Sequence, residues 1–187
     1  MKATLIIGGN SDEWDRNHAD FYPTPDECTI ALLRQFPAFA RGVIWEPACG
    51  DGAISKVLAQ RGASVISTDL HDRGFGVGGV DFMRAANIFG ATAVVTNPPF
   101  IWAEHFIRHA ATMKVPFAML LKGTYWHAAV RMKLFRDTGP LAVCPMLWRP
   151  NFAPDRGKSP TMEFCWTVWA GTRMAITQYI PLERPDV

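Results

Sequence analysis

The stretch from Gly42 to Asp69 leaves this chain the fewest choices of fold. Gly42-Val43-Ile44-Trp45-Glu46 is an apolar, β-forming run that ends in one acid. Pro47-Ala48-Cys49-Gly50-Asp51-Gly52 cannot continue it, since a proline and two glycines interrupt regular structure. A helix is expected from Ala53 to about Arg61, then a second strand, Ser64-Val65-Ile66-Ser67-Thr68, closed by Asp69. Two strands joined through a helix run parallel, because only a crossover of that length can return the chain to the same edge. Such a unit brings backbone close to a ligand and aims helix N-terminal N–H groups at it. An acid at the end of the second strand, about 20 residues beyond the glycine turn, is placed to hydrogen-bond ribose hydroxyls. The dinucleotide pattern Gly-x-Gly-x-x-Gly is not met.

The same alternation continues on both sides. Phe21-Tyr22-Pro23-Thr24-Pro25 is a stiff entrance to a helix over Asp26 to Gln35, with Thr24 or Asp26 as cap and Pro25 near its first turn. Gly74, Gly76, Gly78 and Gly79 read as a loop over a ligand. Ala91 to Val95 is a strand, Ala103 to Met113 a helix, Val115 to Leu121 a buried strand ending at Lys122, and Trp126 to Phe135 an amphipathic helix. Arg131, Lys133 and Arg136 on the last of these face solvent or a phosphate backbone. Leu141 to Leu147 and Glu163 to Ala170 are the final strands. The expected fold class is α/β, a mainly parallel sheet with an antiparallel edge strand, in one domain spanning residues 1–187. Residues 1–20 hold a short strand-like run, Ala3 to Ile7, and a polar segment, Asp12 to Asp20, expected to be flexible except at Trp14, an aromatic that needs something to pack against.

Between the third strand and the following helix lies Thr96-Asn97-Pro98-Pro99-Phe100. The prolines remove two donors and push Asn97 and Pro98 to extended geometry, so the carbonyls there stay available as acceptors. Asn97 adds a side-chain acceptor and Phe100 a flat face, which together suit a planar ligand carrying an NH2 group. A second candidate surface is the loop at 148–160, with Trp148, Arg149, Arg156 and Lys158, where rings stack on bases and cations pair with phosphates.

Asn97-Pro98-Pro99-Phe100 resembles the catalytic motif of S-adenosylmethionine-dependent methyltransferases that modify exocyclic amino nitrogens, most typically the DNA adenine enzymes. Glu46-Pro-Ala-Cys-Gly-Asp-Gly52 is similar to the cofactor motif of class I methyltransferases, and Tyr22-Pro-Thr-Pro25 to their N-terminal cofactor-contacting motif. The resemblance runs by motif from Phe21 to Lys122, in the order cofactor motifs first and catalytic motif second. It implies a Rossmann-like methyltransferase fold, S-adenosyl-L-methionine as cofactor and transfer of methyl to adenine N6 in DNA. It makes Asn97, Pro98, Pro99 and Phe100 catalytic. Tyr22, Thr24, Pro25, Glu46, Ala48, Cys49, Gly50, Gly52, Asp69, Leu70, Asp81, Phe82 and Asn97 would hold the cofactor, with Asp81 and Phe82 at its adenine. Phe100, Trp102, Lys122, Trp148, Arg149, Arg156 and Lys158 would meet the substrate. The same motif serves enzymes acting on RNA bases, cytosine N4 and protein glutamine amides, and a non-catalytic nucleic-acid-binding module on this fold is a further alternative.

Charge is uneven: from Lys122 onward there are nine Lys/Arg against five Asp/Glu, and before it ten against twelve, so a polyanion would meet the C-terminal third. Cys28, Cys49, Cys144 and Cys165 are scattered without metal-ligand spacing and read as reduced thiols, with no metal expected. Neither a membrane span nor a signal segment is visible, so a cytoplasmic location is the expectation. Little chain is left for a separate recognition domain, a size that suits a phage or mobile-element enzyme.

Overall fold

The computed structural model describes residues 23–86, 90–153 and 160–186. In chain order its elements are α1 (Asp26–Gln35), β1 (Val43–Glu46), α2 (Ala53–Gln60), β2 (Ser64–Ser67), β3 (Ala93–Thr96), α3 (Ala103–Thr112), β4 (Phe117–Lys122), α4 (Met132–Thr138), β5 (Ala142–Pro145), β6 (Phe164–Trp169) and β7 (Gln178–Tyr179). The strands form one sheet in the order β2-β1-β3-β4-β6-β5-β7. All pairings are parallel except those that β6 makes with β4 and β5. The reversed strand lies toward the β7 side, third from that margin.

β3 and β6 are buried along their whole length, and β4 from Phe117 to Leu121, as expected of strands covered on both faces. Alternation divides their side chains between two cores. Ile44, Val95, Ala118, Leu120 and Trp166 pack with Cys28 and Leu32 of α1 and Val57 and Leu58 of α2. Trp45, Val94, Met119, Leu121 and Trp169 pack with Phe106, Ile107 and Ala110 of α3. Two indole N–H groups of this interior tie elements together: Trp166 Nε1 donates to the Cys28 carbonyl at 2.8 Å, fastening α1 to β6, and Trp45 Nε1 donates to Thr68 Oγ1 at 2.9 Å. Cys28, Cys49, Cys144 and Cys165 are buried free thiols. Burial pushes Cys49 and Cys144 up to about 12 and Cys165 to about 11, with Cys28 higher still.

Three details add to or differ from the sequence expectations. The helix expected from Trp126 is two short 3-10 turns, Tyr125–His127 and Ala129–Arg131, and regular helix begins only at Met132. Trp126 is drawn onto the sheet face, where its Nε1 donates to Thr167 Oγ1 at 2.9 Å, and the Arg131 guanidinium holds the Tyr125 carbonyl at 2.6 Å. The glycine-rich loop lies along the open margin of β2, with Asp69 N–H donating to the Val77 carbonyl at 3.0 Å and Val77 N–H to that of Ser67 at 2.9 Å. The two-residue β7, parallel to β5, has no sequence pattern long enough to announce it. The run Ala3 to Ile7, Trp14, Tyr22, Arg156 and Lys158 lie outside the described residues. Among the described residues no helix is long and apolar enough to cross a membrane.

Candidate active site

Because β1 to β4 run parallel, the segments after each of them share one edge of the sheet, where ligands of open α/β sheets lie. β5, parallel to them, delivers Trp148 and Arg149 to that edge, and the reversed β6 starts there with Phe164.

After β1 and β2 the edge is wired through backbone. Asp69 is 8% exposed; its Oδ2 accepts from Gly50 N–H and its Oδ1 from His71 N–H, both at 2.9 Å. The Thr68 carbonyl accepts from Cys49 N–H at 3.0 Å, so the two loops are tied at successive residues. Gly50 and Gly52 adopt φ of 57° and 84°, a region in which side chains are strained. Gly52 caps α2 without a side chain, and a Cβ there would stand 2.4 Å from the Phe75 ring of the glycine-rich loop. That contact explains the glycine at this position. Leu70 is 54% exposed beside Asp69 and offers an apolar rim.

Glu46 is enclosed by its neighbours. It is 1% exposed, and the Ser55 hydroxyl donates to its Oε2 while lying 2.6 Å from Ser67 Oγ, which links β1, α2 and β2. Burial holds the Glu46 carboxyl well above the ordinary carboxylate range, against the opposing hydrogen bonds from Ser55. Asp81 caps its own turn, accepting from Met83 N–H at 3.0 Å and pairing with Arg84 at 3.4 Å. Phe82 is 2% exposed, its ring centroid 5.1 Å from Trp45, 4.8 Å from Phe106 and 4.9 Å from His109, so that ring is spent on the core.

The Asn97 ledge leaves the buried end of β3, and all its peptide bonds are trans. Asn97 Nδ2 donates to Thr24 Oγ1 at 3.1 Å, which joins the N-terminal Pro23-Thr24-Pro25 segment to the ledge. Phe100 is half-buried, with Lys122 Nζ 4.5 Å from its ring centroid and Phe164 at 6.2 Å. Phe164 in turn packs on Phe152 at 4.4 Å, and Arg149 pairs with Glu163 at 3.0 Å. Trp102 is 45% exposed against His105, next to Ile101 at 74%. Phe100, Lys122, Trp148 and Arg149 therefore occupy one end of the edge. Arg131 and Lys133 are engaged elsewhere, the first over the Tyr125 ring at 4.0 Å and the second with Asp137 at 2.6 Å.

Phe152 belongs to the 148–160 loop that the sequence nominates, whereas Phe75 and Phe164 carry no sequence signal of a role at the site. Phe164 sits here because β4 and β6 pair with Lys122 opposite it, a register no local pattern encodes.

No protein-family model matches this chain, and no curated protein matches it. Solved structures do. A protein of Pyrococcus horikoshii, described provisionally as an RNA methyltransferase, superposes with a TM-score of 0.64 at 15% identity, over 81% of this chain and 88% of that one. The modification subunit of a type I restriction enzyme, so assigned provisionally, from Vibrio vulnificus gives 0.58 at 12% identity, over 89% of this chain and 48% of the other. A magnesium protoporphyrin IX methyltransferase from Synechocystis, solved with S-adenosylmethionine bound, gives 0.51 at 16% identity over 78% and 79%. At these identities the likeness is one of fold: the chain has the Rossmann-like α/β architecture on which these proteins are built.

Proposed function

We propose that the chain, as a single domain, transfers a methyl group from S-adenosylmethionine to the exocyclic N6 amino group of adenine in DNA. The observation that carries this reading is the Asn97 ledge, standing on the sheet edge between a backbone-wired glycine turn and an aromatic, cationic end. When bound, the cofactor supplies an electrophilic sulfonium methyl. The residues present fit it. Each Asp69 oxygen holds one N–H and keeps a lone pair for a ribose hydroxyl, and Leu70 offers an apolar face to a purine. Asp81 and Phe82 contribute by shaping the wall through the cap and core contacts they make, and Tyr22 keeps the role its motif implies.

An adenine amino nitrogen is a poor nucleophile because its lone pair is delocalised into the ring. The Asn97 Oδ1 and the Pro98 carbonyl accept its two hydrogens, draw the nitrogen toward tetrahedral geometry and free the lone pair for the methyl. Most of the gain is positioning and stabilisation of developing positive charge. Pro99 stiffens the ledge, with φ −53° and ψ 128°, and Phe100 stacks the base. Lys122, on a flexible stem over that ring, moves to a phosphate when the base arrives. Extruding a duplex base costs a few kcal/mol, and stacking at about 1–3 kcal/mol per base offsets much of it. Trp102, Trp148, Arg149, Arg156 and Lys158 complete the nucleic-acid surface.

The test is transfer of labelled methyl from S-adenosylmethionine to adenine-containing DNA, with RNA and protein in parallel and nucleoside analysis of the product. N6-methyladenine in DNA is the expected product. Label confined to RNA or protein overturns the substrate but not the chemistry, and cofactor binding without label anywhere leaves a binding module.

A further inference from the structure

We infer that Ile101 is the wedge that fills the DNA stack when the target adenine leaves it. Its role rests on the proposed transfer to adenine in DNA, and it is needed only when the substrate is duplex.

A lone exposed aliphatic side chain is ordinary on a protein surface. Ile101 differs in its place and its mounting. It is 74% exposed and belongs to neither core, yet it follows Asn97 closely on the ligand edge of the sheet. Phe100–Trp102 is one turn of 3-10 helix, entered from Pro99 and closed by Trp102 N–H donating to the Pro99 carbonyl at 2.9 Å. Three residues make such a turn, so its side chains leave in three directions. Phe100 turns inward, its ring centroid 6.2 Å from Phe164 and 4.5 Å from Lys122 Nζ. Trp102 lies along α3 on the His105 ring, 5.3 Å away. Ile101 takes the remaining direction, into solvent, with the stiff χ1 of a β-branched residue. The turn runs directly into α3, whose Ala103, Phe106 and Ile107 are buried, so the mount is fixed to the core.

Duplex DNA gives that direction a purpose. Extruding an adenine leaves a gap between the flanking base pairs and an unpaired thymine on the other strand. Apolar side chains inserted between base steps are a general means of holding an opened stack. With the extruded base on Phe100, the next side chain along the ledge is at hand for the space the base has left. Isoleucine brings aliphatic surface and no hydrogen-bonding group, so it fills the gap whatever the neighbouring bases are.

The test compares one adenine-containing sequence as single strand and as duplex, with Ile101→Ala and Ile101→Leu beside the parent. We expect Ile101→Ala to lower kcat/KM on duplex about 10-fold or more, to leave single-strand methylation within about two-fold, and to melt with the parent. Ile101→Leu, which restores the bulk, should recover most of the duplex rate. With 2-aminopurine at the target position, the fluorescence gain that reports base extrusion should shrink in Ile101→Ala and return in Ile101→Leu. Equal losses on the two strand forms would mark an ordinary contact and overturn the inference, as would full duplex activity in Ile101→Ala. A parent that methylates single strands only also overturns it and leaves the functional reading standing. A parent that methylates no DNA refutes that reading, and the wedge with it.

Discussion

At the β1–β2 end of the sheet edge the contacts run from backbone to carboxylate: Gly50 and His71 N–H to Asp69, and Ala53 N–H to Asp51. At the β4–β6 end they run from ring to ring and from ring to cation, through Phe100, Phe164, Phe152 and Lys122. Short backbone contacts leave no rotamers to choose, so the first end is set before any ligand arrives. Rings on separate strands and a four-carbon lysine stem can adjust. A cofactor of constant structure suits the first construction, and a polymer that varies beyond its target base suits the second. Asn97 stands between them, tied to Thr24 just ahead of α1 and continuous with Phe100.

Substitutions can break this division. Asn97→Ala removes the shared element, and methyl transfer should fall at least about 100-fold with cofactor affinity by calorimetry nearly unchanged; full turnover would refute the mechanism. Asp69→Ala cuts two N–H ties at the rigid end, and cofactor affinity should fall about 10-fold or more without a matching loss for DNA. Equal losses for both ligands would mean that the two ends are one unit. Phe100→Leu acts at the adjustable end, where losing a stacking face should weaken DNA binding about 5- to 10-fold in a gel-shift or anisotropy titration and spare the cofactor.

The smallest expected effect concerns stability. Because burial raises the Glu46 carboxyl, the folded chain holds that proton more tightly than the unfolded chain does. The contribution is complete below the unfolded value of about 4.3 and is lost as pH rises toward the folded value. Glu46→Gln stays uncharged throughout, so it should melt above the parent at neutral pH, by about 2–4 °C per kcal/mol, and converge with it at acidic pH. Parallel melting curves across that range would show that Glu46 is not held protonated.

The rigid end was the more legible of the two because its determinants are local. Proline, glycine and apolar spacing placed α1 at Asp26–Gln35 and located the β1-turn-α2-β2 unit within a residue or two. The acid at Asp69 followed from its distance to the glycine turn. The adjustable end depends on contacts between distant segments. Trp126 leaves the helical path because Thr167, 41 residues on, takes its N–H, and Phe164 reaches Lys122 only through the β4–β6 register. Thr24 shows the same limit at one atom: a hydroxyl placed like a cap finds its partner 73 residues away. Phe82 shows it for a ring, since its motif position says nothing of the Trp45, Phe106 and His109 that enclose it.

The four buried thiols give the protein an internal clock. Alkylating reagents attack thiolate, and burial has raised Cys49, Cys144 and Cys165 to about 11–12. Modification of the native chain must therefore wait for an opening event. Cys49 sits in the glycine turn, its Sγ 3.5 Å from the Phe75 carbonyl, whereas Cys144 and Cys165 lie on the paired strands β5 and β6. Their labelling rates time two different openings, a loop peeling from β2 and the sheet itself coming apart, in one unmodified sequence.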